Sequence, residues 1–203
     1  FKLVQTRQLT IPRVMCRFYL KLMTCIVGML DKKTDKVIIG GDSASVGDSN
    51  IYIRKDPKVF KNGEFIIGCT SSFRMIQLLR FSFKPPKIED KDIYEYMCTD
   101  FIDGVRECFK NGGYIQKYTD GDEKGGTFLI AHKNRLFKVE DDFQVGETIN
   151  GFDSCGCGQD FALGVLFALE NEKLTTEQKL TKALQAAEFL SMGVASPFVL
   201  IST

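Results

Sequence analysis

Only one histidine, His132, occurs in 203 residues. A multi-histidine metal site is thereby excluded, and a serine or cysteine nucleophile served by imidazole would depend on His132 alone. His132 stands with Lys133 and Asn134 between two apolar runs, so it is expected at a solvated hairpin tip and not as a catalytic base. Long hydrophobic runs are missing as well. Segments such as Phe198–Ile201 fall far short of the roughly twenty apolar residues that cross a bilayer, so no membrane partner is expected. Seven cysteines, an odd number dispersed along the chain, do not read as a disulfide framework, and a reducing cytoplasm is the expected setting.

What is present suffices for a core: 44% of residues are hydrophobic and 26% charged, which fits one compact domain or at most two small ones and excludes disorder. The net charge of +1 conceals an asymmetry. Residues 1–22 carry Lys2, Arg7, Arg13, Arg17 and Lys21 with no acid, while 22 basic and 26 acidic residues make up the remainder. The acidic balance of the remainder argues against a nucleic-acid partner. Residues 1–22 are expected to be a leader, a removable prosegment or added sequence, with Met23 a candidate start, and 24–203 a single domain.

Two apolar runs, Thr24–Leu30 and Lys36–Gly40, flank the polar turn at Asp31–Asp35, and Asn62-Gly63 marks a second reversal between Lys58–Phe60 and Glu64–Cys69. These are antiparallel strands. Helical spacing then takes over at Met75, Leu78 and Leu79 until Pro85-Pro86, and again along Ile93, Met97, Phe101, Val105 and Cys108 or Phe109 behind the cap Asp92. The polar stretch Lys117–Lys124 is expected to be a mobile loop. Strands are predicted at Thr127–Ile130, Arg135–Val139 and Glu147–Phe152. Phe161–Leu169, apolar on nearly every side, is predicted to be a helix sandwiched between layers. A capping box at Thr175 and Gln178 opens a further helix, and a strand closes the chain after Pro197. Strands and helices segregate, which is α+β, and two face-to-face sheets, each covered by a helix pair, would bury the apolar sets.

Gly156-Cys157-Gly158 lies between a strand and a helix, but Phe161 occupies the third-glycine place of a dinucleotide fingerprint. Cys155 and Cys157 have no second ligand pair nearby for zinc, so neither cofactor nor metal is expected. With imidazole set aside, a general base must be a lysine, a carboxylate or an α-amine, whose ordinary pKa of about 7.7–8.0 is near neutrality. Thr24 offers a hydroxyl that would gain such an amine if everything before it were removed. One residue could then both attack and carry the proton.

The chain from Thr24 onward resembles the proteasome β-subunit family, with its HslV-like relatives, among the N-terminal nucleophile (Ntn) hydrolases. Four blocks carry the resemblance: Thr24-Cys25-Ile26-Val27-Gly28, Ile38-Ile39-Gly40-Gly41-Asp42-Ser43, Lys58-Val59 and Gly68-Cys69-Thr70-Ser71-Ser72. Asp42 and Lys58 stand at the family's sixteen-residue spacing, whereas Thr24 to Asp42 is two residues longer, an insertion the Asp31–Asp35 turn absorbs. The resemblance implies a four-layer αββα sandwich and a threonine peptidase. Thr24 would be the nucleophile, Lys58 the neighbouring cation that favours a free amine, and Asp42 its partner. A backbone N–H near Ser71 and Ser72 would face the oxyanion. Cys157 would replace a serine that supports the terminal amine, and Glu188 with Ser191 would align with an aspartate–serine pair of many β subunits. Ser45 and Val46 would line the substrate cleft. It further implies peptide or unfolded-protein substrates, a homo-oligomeric ring and an ATP-driven unfoldase. The alternatives are a small-molecule amidase of the same chemistry, or a silent assembly protein that retains its leader.

Overall fold

Two continuous apolar runs, buried on both faces, build the first hairpin, β1 (Cys25–Asp31) and β2 (Lys36–Gly41), in register from Ile26 opposite Gly41 to Asp31 opposite Lys36. The Asp31 side chain accepts the Lys33 N–H and Asp35 takes a left-handed φ of 54°, a conformation aspartate tolerates in tight turns. The computed structural model describes residues 23–47, 50–117 and 123–203; the segment 1–22, expected to be a leader, prosegment or added sequence, lies outside them. A short hairpin, β3 (Ala44–Gly47) and β4 (Asn50–Ile53), projects beyond β2. β5 (Val59–Asn62) and β6 (Phe65–Cys69) follow, joined at Gly63 as the Asn-Gly pair predicts.

Helix α1 (Phe73–Gln77) starts at the Ser72 cap and passes into a π-helical turn (Leu78–Ser82) that ends before the prolines. α2 (Ile93–Tyr96), capped by Asp92, runs through a second π turn (Met97–Phe101) into α3 (Ile102–Asn111), burying Met97, Phe101, Val105 and Phe109 as their spacing predicts. β7 (Gln116–Lys117) and β8 (Glu123–Lys124) pair across the stretch expected to be a loop, whose centre lies outside the described residues. β9 (Phe128–His132) and β10 (Arg135–Val139) form a hairpin. The strand predicted at Glu147–Phe152 is instead two, β11 (Val145–Glu147) and β12 (Phe152–Gly156), because residues 148–151 turn at Gly151 with a φ of 74°. α4 (Gln159–Ala168), α5 (Thr176–Leu190) and β13 (Val199–Ser202) complete the chain, and Thr175 with Gln178 forms the capping box.

Among the described residues nine strands form two antiparallel sheets, ordered β12-β1-β2-β13 and β11-β10-β9-β6-β5, while β3-β4 and β7-β8 are separate two-stranded ribbons. Three apolar cores separate four layers. Ile26, Val37 and Ile39 of the first sheet meet Val59, Ile66 and Leu129 of the second. Alternate residues Val27, Met29 and Ile38 turn outward onto Ala162, Leu166, Leu180 and Leu184 of α4 and α5. The second sheet's outer face packs Ile67, Phe128 and Phe137 against α1 to α3. The expected αββα sandwich is therefore present. Among the described residues no helix is long and apolar enough to cross a membrane.

Two expectations need correction. Helix α4 is not sandwiched: only Ala162 and Leu166 are fully buried and Phe167 is 73% exposed, because an outer-layer helix buries one stripe whatever its other faces carry. Nor is His132 a solvated tip. It ends β9 opposite Phe65 and Arg135, is only 3% exposed, and its ring lies 4.8 Å from that of Phe65. Burial, with Lys133 adding to the effect, holds its pKa below the ordinary 6.5.

Candidate active site

β1 begins at Cys25, so Thr24 sits at the mouth of the gap between the sheets, only 4% exposed. Asp42 follows the last residue of β2 and Lys58 precedes the first of β5, so the two sheets deliver one side chain each to the same point. Close approach of the layers makes this possible: a Cβ on Gly68 of β6 would collide with Ile26 and Ile39 of the opposite sheet. Lys58 Nζ donates to Thr24 Oγ1 at 2.6 Å and to both Asp42 oxygens at 2.9 and 3.0 Å. The ammonium and carboxylate are almost wholly excluded from water. Asp42 also accepts backbone N–H bonds from Cys25 (3.0 Å), Ala44 (2.9 Å) and Ala195 (3.3 Å), so its carboxylate is over-determined in position. Burial lowers the Lys58 pKa, and Asp42 opposes that shift.

Behind Thr24, the turn after β12 closes on the backbone. Gly156 has a φ of 100°, and a Cβ there would overlap the Thr24 carbonyl, so glycine is required on both counts. The Thr24 N–H donates to Cys157 Sγ at 3.3 Å, and that sulfur lies 3.0 Å from Ser191 Oγ. The Thr24 hydroxyl donates to the Met23 carbonyl oxygen. Cys25, by contrast, points inward beside Ser154, and burial pushes its thiol up to about 12.

In front lies a cavity of about 120 Å³ lined by Thr24, Ser45, Val46, Thr70, Ser71 and Ile76, among others. Ser71 has a φ of 63°, and the Ser72 N–H folds back to the Thr70 carbonyl at 2.7 Å. Ser72 Oγ in turn accepts from Arg74 N as the cap of α1. Among the described residues the Ser71 N–H has no protein acceptor, which makes it the free amide of this turn.

By sequence, no family model and no curated protein matches the chain. By structure it is similar to BPH from Thiobacillus denitrificans in complex with epoxomicin, at 18% identity and a TM-score of 0.75 over 89% of this chain and 98% of that one. It is also similar to eukaryotic HslV from Trypanosoma brucei (15% identity, TM-score 0.61, 88% of this chain and 98% of that one). Anbu, an ancestral β-subunit from Yersinia bercovieri, matches at 14% identity and a TM-score of 0.61, over 88% and 81%. The chain has the proteasome-type Ntn hydrolase fold.

Within that fold the residues singled out in the sequence divide into three groups. Thr24, Asp42 and Lys58 share one hydrogen-bonded cluster, and Cys157 and Ser191 join it through the Thr24 nitrogen. Ser45, Val46, Ser71 and Ser72 line the cavity in front. Glu188 stands apart from both: its carboxylate accepts the Ser196 N–H at 2.6 Å and so fixes the segment that returns to Asp42 through Ala195. Thr70 was missed as a functional side chain. Its hydroxyl donates to the Thr127 carbonyl at 2.7 Å and ties the cleft wall to the start of β9. Phe73, another wall residue, carries the Arg54 guanidinium 4.0 Å above its ring. No spacing signal marks either residue, because both contacts cross between separate segments.

Proposed function

We propose that the protein is an N-terminal threonine peptidase that cleaves amide bonds through an acyl-enzyme on Thr24. The observation that carries this reading is the buried Lys58 ammonium held between Asp42 and Thr24 Oγ1. While Met23 is attached, the Thr24 nitrogen is an amide and takes no proton. Once freed it is an amine beside its own hydroxyl. The amine accepts the Oγ1 proton as the oxygen attacks the substrate carbonyl, and Lys58 stabilises the developing alkoxide while disfavouring protonation of the amine. The oxyanion faces the Ser71 amide. The amine then protonates the departing nitrogen, and water hydrolyses the Thr24 ester by the same route in reverse. Ser191 and Cys157 orient the amine.

The half-buried strand at Ser45 and Val46 supports an extended peptide as substrate, and the small cavity supports a compact side chain next to the scissile bond. The reading extends to a homo-oligomeric ring in a reducing cytoplasm, fed by an ATP-driven unfoldase for folded substrates. The test is hydrolysis of short fluorogenic peptides by protein that begins at Thr24. Thr24→Ala is expected to abolish turnover while the protein stays folded, with a modest loss of stability because Lys58 loses one acceptor. Peptidase activity that persists in Thr24→Ala would refute the mechanism.

A further inference from the structure

Cys157 differs from the other cysteines around the site. Cys25, Cys69 and Cys155 are buried, whereas Cys157 is exposed. Its sulfur is also the atom that meets the Thr24 nitrogen, at 3.3 Å, with the Thr24 carbonyl oxygen at 3.5 Å and Ser191 Oγ at 3.0 Å. A hydroxyl could orient the amine equally well, but only a thiol can be oxidised there. In the freed chain an accessible thiol therefore touches a nucleophilic amine that the proposed reaction needs as its base.

From this geometry we infer that Cys157 is an oxidative modification site that shuts the Thr24 centre reversibly through a sulfur–nitrogen bond to the Thr24 α-amine. The inference rests on the N-terminal threonine reading, since the nitrogen must be an amine. The co-reactant is a peroxide. The Cys157 thiolate attacks one oxygen of hydrogen peroxide, the O–O bond breaks, and hydroxide leaves to become water with a proton from solvent. The sulfur is now a sulfenic acid, oxidised by two electrons. The Thr24 amine attacks that sulfur; the S–N bond forms, the S–O bond breaks, and the hydroxyl departs as water with a proton from the amine. The sulfenamide nitrogen no longer accepts the Oγ1 proton, so turnover stops. A thiol reductant attacks the sulfur, releases the amine as a mixed disulfide forms, and a second thiol restores Cys157.

The experiment treats protein that begins at Thr24 with hydrogen peroxide and follows intact mass, peptide maps and peptide hydrolysis together. The expected mass is lower by two hydrogens, with the N-terminal peptide joined to the Cys157 peptide. Hydrolysis should fall to background and return with dithiothreitol. Cys157→Ser should keep its own untreated rate under the same treatment, and Cys98→Ser, which removes another exposed thiol, should be inactivated like the parent. A gain of oxygen at Cys157 without the cross-link, or equal inactivation of Cys157→Ser, would overturn the inference. Mass distinguishes its failure from failure of the peptidase reading: a cross-link in a protein that hydrolyses no peptide upholds the sulfur–nitrogen bond and refutes the peptidase reading.

Discussion

Asp42 and Lys58 are not equivalent halves of their ion pair. Removing the carboxylate leaves a buried ammonium with Thr24 Oγ1 and strands three backbone N–H groups, from Cys25, Ala44 and Ala195. Removing the lysine leaves a carboxylate that keeps all three of those donors. Asp42→Ala is therefore expected to destabilise by about 3–5 kcal/mol, as loss of one partner from a buried pair does. Lys58→Met should cost less, about 1.5–3 kcal/mol, the worth of a hydrogen bond to a charged group. Urea denaturation of both variants checks the order, and a reversed order would show that Asp42 is not held as described. Both variants should lose turnover. His132 gives a separate test of burial. Its pKa is lowered in the fold, so the unfolded chain binds the extra proton between that lowered value and 6.5. Stability contributed by neutral His132 is thus full above pH 6.5 and is lost as pH falls through that window. Lys133 reinforces the shift and Glu64 opposes it. His132→Gln should flatten the pH dependence of the urea midpoint there; an unchanged slope would mean that the ring is solvated.

Individual elements show which parts of the fold were legible from the sequence. The β1–β2 hairpin, the stripe through α2 and α3, and the Thr175 capping box were all visible because each rests on interactions within a few residues. Thr175→Ala is expected to cost about 1 kcal/mol, the usual worth of a helix cap, and to leave turnover intact because the cap lies at the end of α5 remote from Ser191. Thermal denaturation and peptide hydrolysis of the same variant check both halves. Helix α4 was legible as a helix but its burial was not: apolar residues on every face do not reveal which face meets a sheet, and the exposure of Phe167 is settled only by layer order. The β11–β12 break was missed for a similar reason, since β11 pairs with β10 and β12 with β1, in different sheets. At the site, Thr24, Asp42 and Lys58 were legible through the resemblance of their sequence blocks to the proteasome β-subunit family, while Thr70–Thr127 and Glu188–Ser196 connect segments that no local pattern relates. Gly156 joins both kinds of information. Gly156→Ala should displace Thr24 and reduce turnover sharply, because a methyl group there meets the Thr24 carbonyl and the φ of 100° is strained for alanine.

At the scale of the molecule, the described surface carries two apolar groups on different elements. Ile51, Tyr52 and Ile53 stand out from β4, while Phe189, Leu190 and Met192 cluster at the end of α5. Exposed large apolar residues grouped in this way are costly in a lone soluble chain, and two different groups suit the head-to-tail contacts of a closed ring. Tyr52→Glu is accordingly expected to shift the protein toward smaller species in analytical ultracentrifugation, and an unchanged sedimentation profile would exclude β4 from the interface. All of this chemistry depends on an uncapped nitrogen at one threonine. The most direct measurement is the intact mass of the active protein from its native source, with the N-terminal residue read from the same material. The account predicts a chain that begins at Thr24. A fully active chain that still carries Met23 and the residues before it would contradict it.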